Sequence, residues 1–136
     1  MADPRYPVVM IGGASVVAAP PEIDAKNAEW FRDVLLHASS RGQATVVNMT
    51  GTQFCDSAGV SAVAWAHGHT EAKGGELLLV IPADAAVLRV FALTGLDRLI
   101  PIFADLNDAL EQAHAGLPRP LQRGLMPSSD ADLAAD

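Results

Sequence analysis

The stretch VVNMTGTQFCDSAGVSAV, residues Val46 to Val63, joins two kinds of predicted structure. Its first residues are apolar and β-branched, which is typical of a buried strand, and they continue a run that begins at Ala44. TGTQFC reads as a loop. From Ser57 onward, Val60 and Val63 recur at the spacing of one helix face. The stretch therefore predicts a strand (44–49), a loop and a helix in immediate succession.

The residues before this stretch predict a hairpin and a first helix. Pro7–Ile11 and Ala14–Ala18 are short apolar runs separated by Gly12-Gly13, a two-residue hairpin signal. A helix follows, with Asp24 as its predicted N-cap and Gly42 as its predicted C-cap. Its predicted buried face has i, i+3, i+4 spacing and consists of Ala28, Phe31, Val34, Leu35 and Ala38.

The residues after the stretch continue the alternation of helix and strand. The helix that starts at Ser57 should end near AKGG, residues 72–75, and Glu76–Ile81 predicts a strand inside the sheet. Pro82 suits the first turn of a third helix that ends at Gly95. The predicted inward face of this third helix is Val87, Val90, Phe91 and Thr94.

The last two predicted elements are a short edge strand in LIPIFA, residues 99–104, and a final helix capped by Asp105. The inward face of that helix is Leu106, Ala109 and Leu110. The order β-β-α-β-α-β-α-β-α predicts an α/β fold. Its sheet should be mixed but mostly parallel, with about five strands, an N-terminal hairpin and about four packing helices. We expect a loose N-terminus (1–6), one domain (7–116) and a disordered tail (117–136).

Composition and charge exclude several classes of function. The chain has 136 residues, of which half are hydrophobic, and its net charge of −7 disfavours nucleic acid as a partner. No apolar run approaches the ~20 residues that span a bilayer, and no secretory signal is visible, so we expect no membrane partner. Cys55 is the single cysteine and cannot form an internal disulfide, which favours a cytoplasmic location.

Local physics allows more than one interpretation of Ser57. A nucleophilic serine needs a base within hydrogen-bond reach, but His67 lies ten residues along the same helix, about 15 Å away. Serine is also a preferred N-cap, and the Asp56 carboxylate suits the positive end of a helix dipole. Gly59 is not explained by capping, and a close approach of another backbone would account for it.

Metal and nucleotide sites find little support. His67 and His69 form an H-x-H pair, but residues i and i+2 point to nearly opposite sides of a helix, so we expect solvated histidines. Neither a P-loop nor a dinucleotide-binding motif is present. We expect no metal and no cofactor, although the loop before Ser57 is a generic weak anion site.

Three segments together resemble the STAS domain family, which includes the bacterial anti-sigma factor antagonists, or anti-anti-sigma factors. The first is the opening stretch, with its Asp-Ser-(small)-Gly pattern after an apolar strand. The others are PPEIDAKNAEWFRDVL and VLRVFALTGLDRLIPIFADLNDAL, and the resemblance covers about residues 7–114. One departure is Pro21, which stands where the family usually has glycine, before Asp24.

The resemblance implies a regulatory partner switch rather than an enzyme. Such proteins sequester an anti-sigma factor, typically a serine kinase of the histidine-kinase-like ATPase fold, until that kinase phosphorylates them. A phosphatase then resets the switch. The implied phosphoacceptor is Ser57. The implied partner-binding positions are Asp24, Thr52, Asp56, Ser57, Ala58, Gly59, Ser61, Thr94 and Gly95.

Two other functions stay open on the sequence. One is a stand-alone STAS module that serves as a scaffold or as a subunit of a transport complex. The other is a regulatory domain that binds a nucleotide or another ligand at the loop near Ser57.

Overall fold

The computed structural model describes residues 7–116, so the predictions for residues 1–6 and 117–136 lie outside the described part of the chain. The strands are β1 (Val8–Ile11), β2 (Ala14–Ala18), β3 (Glu22–Ile23), β4 (Ala44–Asn48), β5 (Phe54–Cys55), β6 (Glu76–Val80) and β7 (Ile102–Phe103). The helices are α1 (Ala28–Ser39), α2 (Ser57–Ala72), α3 (Ala86–Leu93), a 3-10 turn (Leu96–Arg98) and α4 (Leu106–Gly116).

The main sheet has five strands in the order β1-β2-β4-β6-β7. β1 and β2 pair antiparallel, and every other pair in this sheet is parallel. Gly12 and Gly13 have φ values of 58° and 89°, the left-handed conformation that a two-residue hairpin turn requires. The predicted mixed sheet with its N-terminal hairpin is therefore confirmed, and β7 forms the predicted edge.

The sheet carries helices on both faces. Val17, Val47 and Leu79 are aligned across three strands and belong to the larger core, which α1, α2 and α3 cover. Val16, Val46 and Leu78 precede them by one residue and belong to the smaller core under α4. Successive strand residues point to opposite faces, so each strand contributes to both cores. The predicted inward face of α1 is confirmed, since all five of its residues are buried.

Two predicted helix starts are wrong. Asp24 is not the N-cap of α1, because the helix begins at Ala28. Asp24 instead opens a turn, in which its carboxylate accepts from the Lys26 N–H (2.9 Å) and its carbonyl from the Ala28 N–H (2.8 Å). Pro82 likewise lies in a turn closed by the Ala85 N–H (3.0 Å), and α3 begins only at Ala86.

Two residues near helix ends also differ from prediction. α1 ends at Ser39, and Gly42 is not its C-cap. A Cβ on Gly42 would lie 2.7 Å from the Gly13 carbonyl oxygen, so the glycine lets this loop approach the β1–β2 hairpin. Thr94 is exposed rather than inward, because α3 ends one residue earlier and its hydroxyl turns back to the Val90 carbonyl (3.0 Å).

The other predicted ends are confirmed. Gly95 terminates α3 with a φ of 82°, and the Asp105 carboxylate caps α4 by accepting from the Asp108 N–H (2.9 Å). Among residues 7–116, no helix is both long enough and apolar enough to cross a membrane.

Candidate functional site at the start of helix α2

A second, two-stranded sheet places the loops of the site side by side. β3 pairs parallel with β5 in the register Glu22↔Phe54 and Ile23↔Cys55. Parallel strands end at the same edge, so Asp24 and Asp56, which follow the two strands, emerge together. The Asp56 N–H also donates to the Ile23 carbonyl (3.0 Å).

The loop between β4 and β5 is fastened to the two prolines before β3. The buried Thr52 hydroxyl donates to the Pro20 carbonyl (2.9 Å), and the N–H groups of Gln53 and Phe54 donate to the Pro21 carbonyl (2.7 and 3.2 Å). Thr52 therefore holds the loop in place instead of facing solvent, and the segment that carries Pro21 is anchored by its carbonyl groups.

Asp56, and not Ser57, is the N-cap of α2. One Asp56 carboxylate oxygen accepts from the Ala58 N–H (2.9 Å) and the Gly59 N–H (3.2 Å), and the Asp56 backbone is extended. The prediction that Ser57 caps the helix is wrong by one position, because the side chain that accepts from the two free N–H groups is that of the preceding aspartate. Ser57 is the first residue of the helix and is exposed. Within residues 7–116 its hydroxyl makes no hydrogen bond, so the oxygen is open to another molecule.

Gly59 fits a close approach within the fold. The residue is buried, and a Cβ on it would lie 2.6 Å from the Cys55 sulfur and 2.7 Å from Ile23 Cγ2. The expected neighbour was another backbone, but the neighbours are side chains of the small β3–β5 sheet. Glycine here lets the first turn of α2 rest directly on that sheet.

Cys55 lies beneath the site and is 3% exposed. Burial, and to a smaller extent the Asp56 charge, raises the pKa of its thiol from 9.0 to about 11. The thiol is therefore protonated at neutral pH and is a poor nucleophile there.

The remaining predicted site residues fall into two groups. Half-buried Ala58 follows Ser57 directly, exposed Ser61 lies one turn further along α2, and half-buried Asp24 follows β3, the strand that pairs with β5. Thr94 and Gly95 lie at the end of α3, a helix that packs against β5. The structure thus places seven of the nine positions on or beside the β3–β5 sheet and the first turns of α2.

The two histidines of α2 are not both solvated, contrary to expectation. His67 is buried, and its Nε2 lies 3.3 Å from a Glu71 carboxylate oxygen, whereas His69 stacks on Trp65 with ring centroids 4.9 Å apart. Within residues 7–116, no group of three His, Cys, Asp or Glu side chains could hold a metal ion.

A groove between α1 and α2 was not predicted from the sequence. It has a volume of about 550 Å³ and begins beside the first turn of α2, and the Arg32 guanidinium carbon lies 5.0 Å from the Trp65 ring centroid. Its lining residues are Ala25, Ala28, Glu29, Arg32, Ala58, Ser61, Ala62 and Trp65. The only available signal was the four-residue spacing of Ser57, Ser61 and Trp65, which places them on one stripe of α2.

Comparison with known proteins defines the class to which this arrangement belongs. A model of the STAS domain family matches residues 5–109, so this chain belongs to the STAS domain family. The resemblance noted from the three sequence segments is confirmed.

Several relatives of this chain carry names related to sigma-factor control. A Mycobacterium tuberculosis protein named as a candidate anti-anti-sigma factor is 29% identical over 111 residues, covering 79% of this chain and 74% of that protein. An anti-sigma factor antagonist from Mycobacterium paratuberculosis superposes with a TM-score of 0.71 at 26% identity, covering 83% of this chain and 98% of that one. The anti-sigma factor antagonist SpoIIAA of Bacillus, unphosphorylated, gives a TM-score of 0.67 at 23% identity, covering 83% and 99%.

The same fold also occurs inside a much larger protein. The murine anion transporter Slc26a9 gives a TM-score of 0.64 at 24% identity, and the match covers 78% of this chain but 18% of the transporter. The fold alone therefore does not determine the function.

Proposed function

We propose that this protein is an anti-sigma factor antagonist that binds an anti-sigma factor through the surface around Ser57 and releases it when Ser57 is phosphorylated. On this proposal the protein is the inhibitor and the substrate of its partner, a serine kinase of the histidine-kinase-like ATPase fold. A phosphatase returns it to the binding state. The names of the relatives support the class of function, and the sequence resemblance supplies the role of Ser57.

The observation that carries the proposal is the exposed, uncommitted hydroxyl of Ser57 at the first position of α2. Since Asp56 supplies the cap, Ser57 can be modified without removing a hydrogen bond that holds the helix. A nucleophilic role lacks similar support, because His67 lies ten residues along the same helix, about 15 Å from Ser57, and His69 stacks on Trp65.

The chemical step is an ordinary phosphoryl transfer. The Ser57 oxygen bonds to the γ-phosphorus of ATP, the bond from that phosphorus to the β–γ bridging oxygen breaks, and ADP leaves. The hydroxyl proton passes to a base of the kinase. The phosphate adds about −1.5 to −2 charges at a helix N-terminus, where the dipole accommodates them.

We infer that phosphorylation acts at the interface and not through a change of fold. Asp56 precedes Ser57, and Asp24 follows the strand that pairs with β5, so a phosphate on Ser57 adds negative charge to a contact surface that already carries two carboxylates. Bulk and repulsion then oppose the partner, and a loss of a few kcal/mol corresponds to about 100-fold in affinity at ~1.4 kcal/mol per decade. SpoIIAA has been solved in unphosphorylated and phosphorylated forms, and this chain superposes on both with TM-scores of 0.67 and 0.61.

The experiment that tests this function is capture of the partner with Ser57→Ala as bait in lysate of the source cell. We expect the bait to retain an ATPase-type kinase, and the Ser57→Asp bait to retain much less of it. The recovered kinase and ATP should then phosphorylate the wild-type protein at Ser57 by mass spectrometry. Recovery of no kinase, or phosphate on Ser61, Thr50 or Thr52 with Ser57 unmodified, would contradict the proposal.

A second candidate is a module of a transport complex, which the match to the murine transporter favours. The same capture separates the two functions, because a permease would be recovered in place of a kinase. Thermal unfolding with millimolar ATP or GTP addresses the remaining possibility, a nucleotide-binding domain, which would show a raised Tm.

A further inference from the structure

An exposed stripe of α2 extends from Ser57 to Trp65, which the Arg32 guanidinium contacts. Ser57, Ser61 and Trp65 follow one another at four-residue spacing, about 6 Å of rise each, and all three are exposed. Arg32 reaches across from α1, and its guanidinium carbon lies 5.0 Å from the Trp65 ring centroid. Ser61 and Arg32 line the same groove.

Arg32 lacks an acceptor for part of its guanidinium group. Its Nε is buried and has no hydrogen-bond partner among the described residues. A guanidinium that is partly removed from water against an aromatic ring attracts an anion more strongly than one in bulk solvent. Its planar set of donors suits phosphate oxygens.

We propose that Ser61 is a second phosphorylation site, whose phosphate is held in the α1–α2 groove by Arg32. The step again transfers the γ-phosphoryl group of a nucleoside triphosphate. The Ser61 oxygen bonds to phosphorus, the nucleoside diphosphate leaves, and the hydroxyl proton passes to a base of the protein kinase. The proposal rests on the proposed function only in requiring a kinase that reaches this end of α2.

The two phosphates would differ in their effect on the protein. A phosphate on Ser57 adds to the negative charge of Asp56 and Asp24, which follow the paired strands β5 and β3, whereas one on Ser61 shares the groove with Arg32. Glu29 lines the same groove and opposes the second phosphate, which limits the strength of the pairing. Phosphorylation of Ser61 should therefore tighten the packing of α1 on α2, in contrast to the purely interfacial effect at Ser57.

The first test installs phosphoserine genetically at position 61 of the full chain and follows thermal unfolding and the ³¹P NMR titration. We expect phosphoserine to raise the Tm by about 3 °C over the unmodified protein. In Arg32→Gln this gain should vanish, and the titration midpoint of the phosphate should move to higher pH. Arg89→Gln, at an exposed arginine of α3, is the matched control and should keep both effects. Arg32→Lys should keep part of the gain.

An equal change of Tm with and without Arg32, together with an unmoved ³¹P midpoint, would overturn the role of Arg32. The second test maps phosphate after reaction of the wild-type protein with ATP and the kinase recovered by the Ser57→Ala bait. Phosphate on Ser57 and Ser61 supports the inference. Phosphate on Ser57 alone overturns it and leaves the proposed function standing. Phosphate on Ser61 alone supports the inference and contradicts the assignment of Ser57, and phosphate on neither residue contradicts both.

Discussion

At the scale of single residues, Gly59 shows how the absence of a side chain positions the site. An added Cβ would lie 2.6 Å from the Cys55 sulfur and 2.7 Å from Ile23 Cγ2, closer than packed atoms approach. The first turn of α2 would have to lift from the β3–β5 sheet, or the two side chains would have to move. The location of Ser57 thus depends on a buried neighbour two residues away.

Gly59→Ala should destabilise the protein by about 1–2 kcal/mol, because overpacking outweighs the better helix propensity of alanine. Gly68→Ala is the matched control in the same helix, since nothing lies within 4 Å of its added Cβ. It should stabilise by about 0.5–1 kcal/mol. Urea unfolding of both variants measures the difference, and a stabilised Gly59→Ala would show that the turn is loosely packed.

Cys55 gives a prediction for pH dependence. Burial and the Asp56 charge raise the pKa of the folded thiol to about 11 from 9.0, so the folded protein holds this proton more tightly than the unfolded chain. The contribution of Cys55 to stability is complete below pH 9 and is lost as the pH rises towards 11. Thiol alkylation of the folded protein should still accelerate about tenfold between pH 9 and 10, while the urea-unfolded protein levels off. A folded protein that levels off near pH 9 would contradict the raised pKa.

At the scale of elements, two different residues at the start of α2 serve as helix cap and as proposed phosphorylation site. Asp56→Ala should cost about 0.5–2 kcal/mol, because the N–H groups of Ala58 and Gly59 lose their acceptor. Asp56→Asn should recover most of the loss. Ser57→Ala should change stability by less than about 0.5 kcal/mol, since its hydroxyl does not cap the helix. Denaturation curves that show the larger loss for Ser57→Ala would reverse the two roles.

The elements predicted from the sequence were those long enough to show a period. The four helices and the strands β1, β2, β4 and β6 carry three or more residues of consistent spacing, or a turn signal such as Gly12-Gly13, and the two-residue β7 lies within the longer apolar run LIPIFA. β3 and β5 have two residues each, too few for any period, so TGTQFC was read as a loop and residues 22–23 were assigned to no element. Helix starts were misplaced at Asp24 and Pro82, because a residue suited to the start of a helix can equally open a turn. The start of α2 was placed correctly at Ser57, but its cap is Asp56.

At the scale of the whole molecule, the three-layered architecture, with helices on both faces of the sheet, follows from the alternation of strands and helices, while the site does not. The β3–β5 pairing, the burial of Gly59 and the Arg32–Trp65 contact join segments far apart in the chain, and no local pattern encodes them. The family resemblance assigned a role to Ser57 that local physics left open. The fold adds a physical reason why that serine is available, since a neighbouring aspartate does the capping.

The central claim is that a phosphate on Ser57 ends partner binding while the fold persists. Its most direct test compares the affinity of the captured kinase for the unmodified protein and for protein carrying genetically encoded phosphoserine at position 57. We predict a Kd about 100-fold higher for the phosphorylated form, with Ser57→Ala binding as tightly as the unmodified protein. An equal Kd for the unmodified and phosphorylated forms would contradict the account.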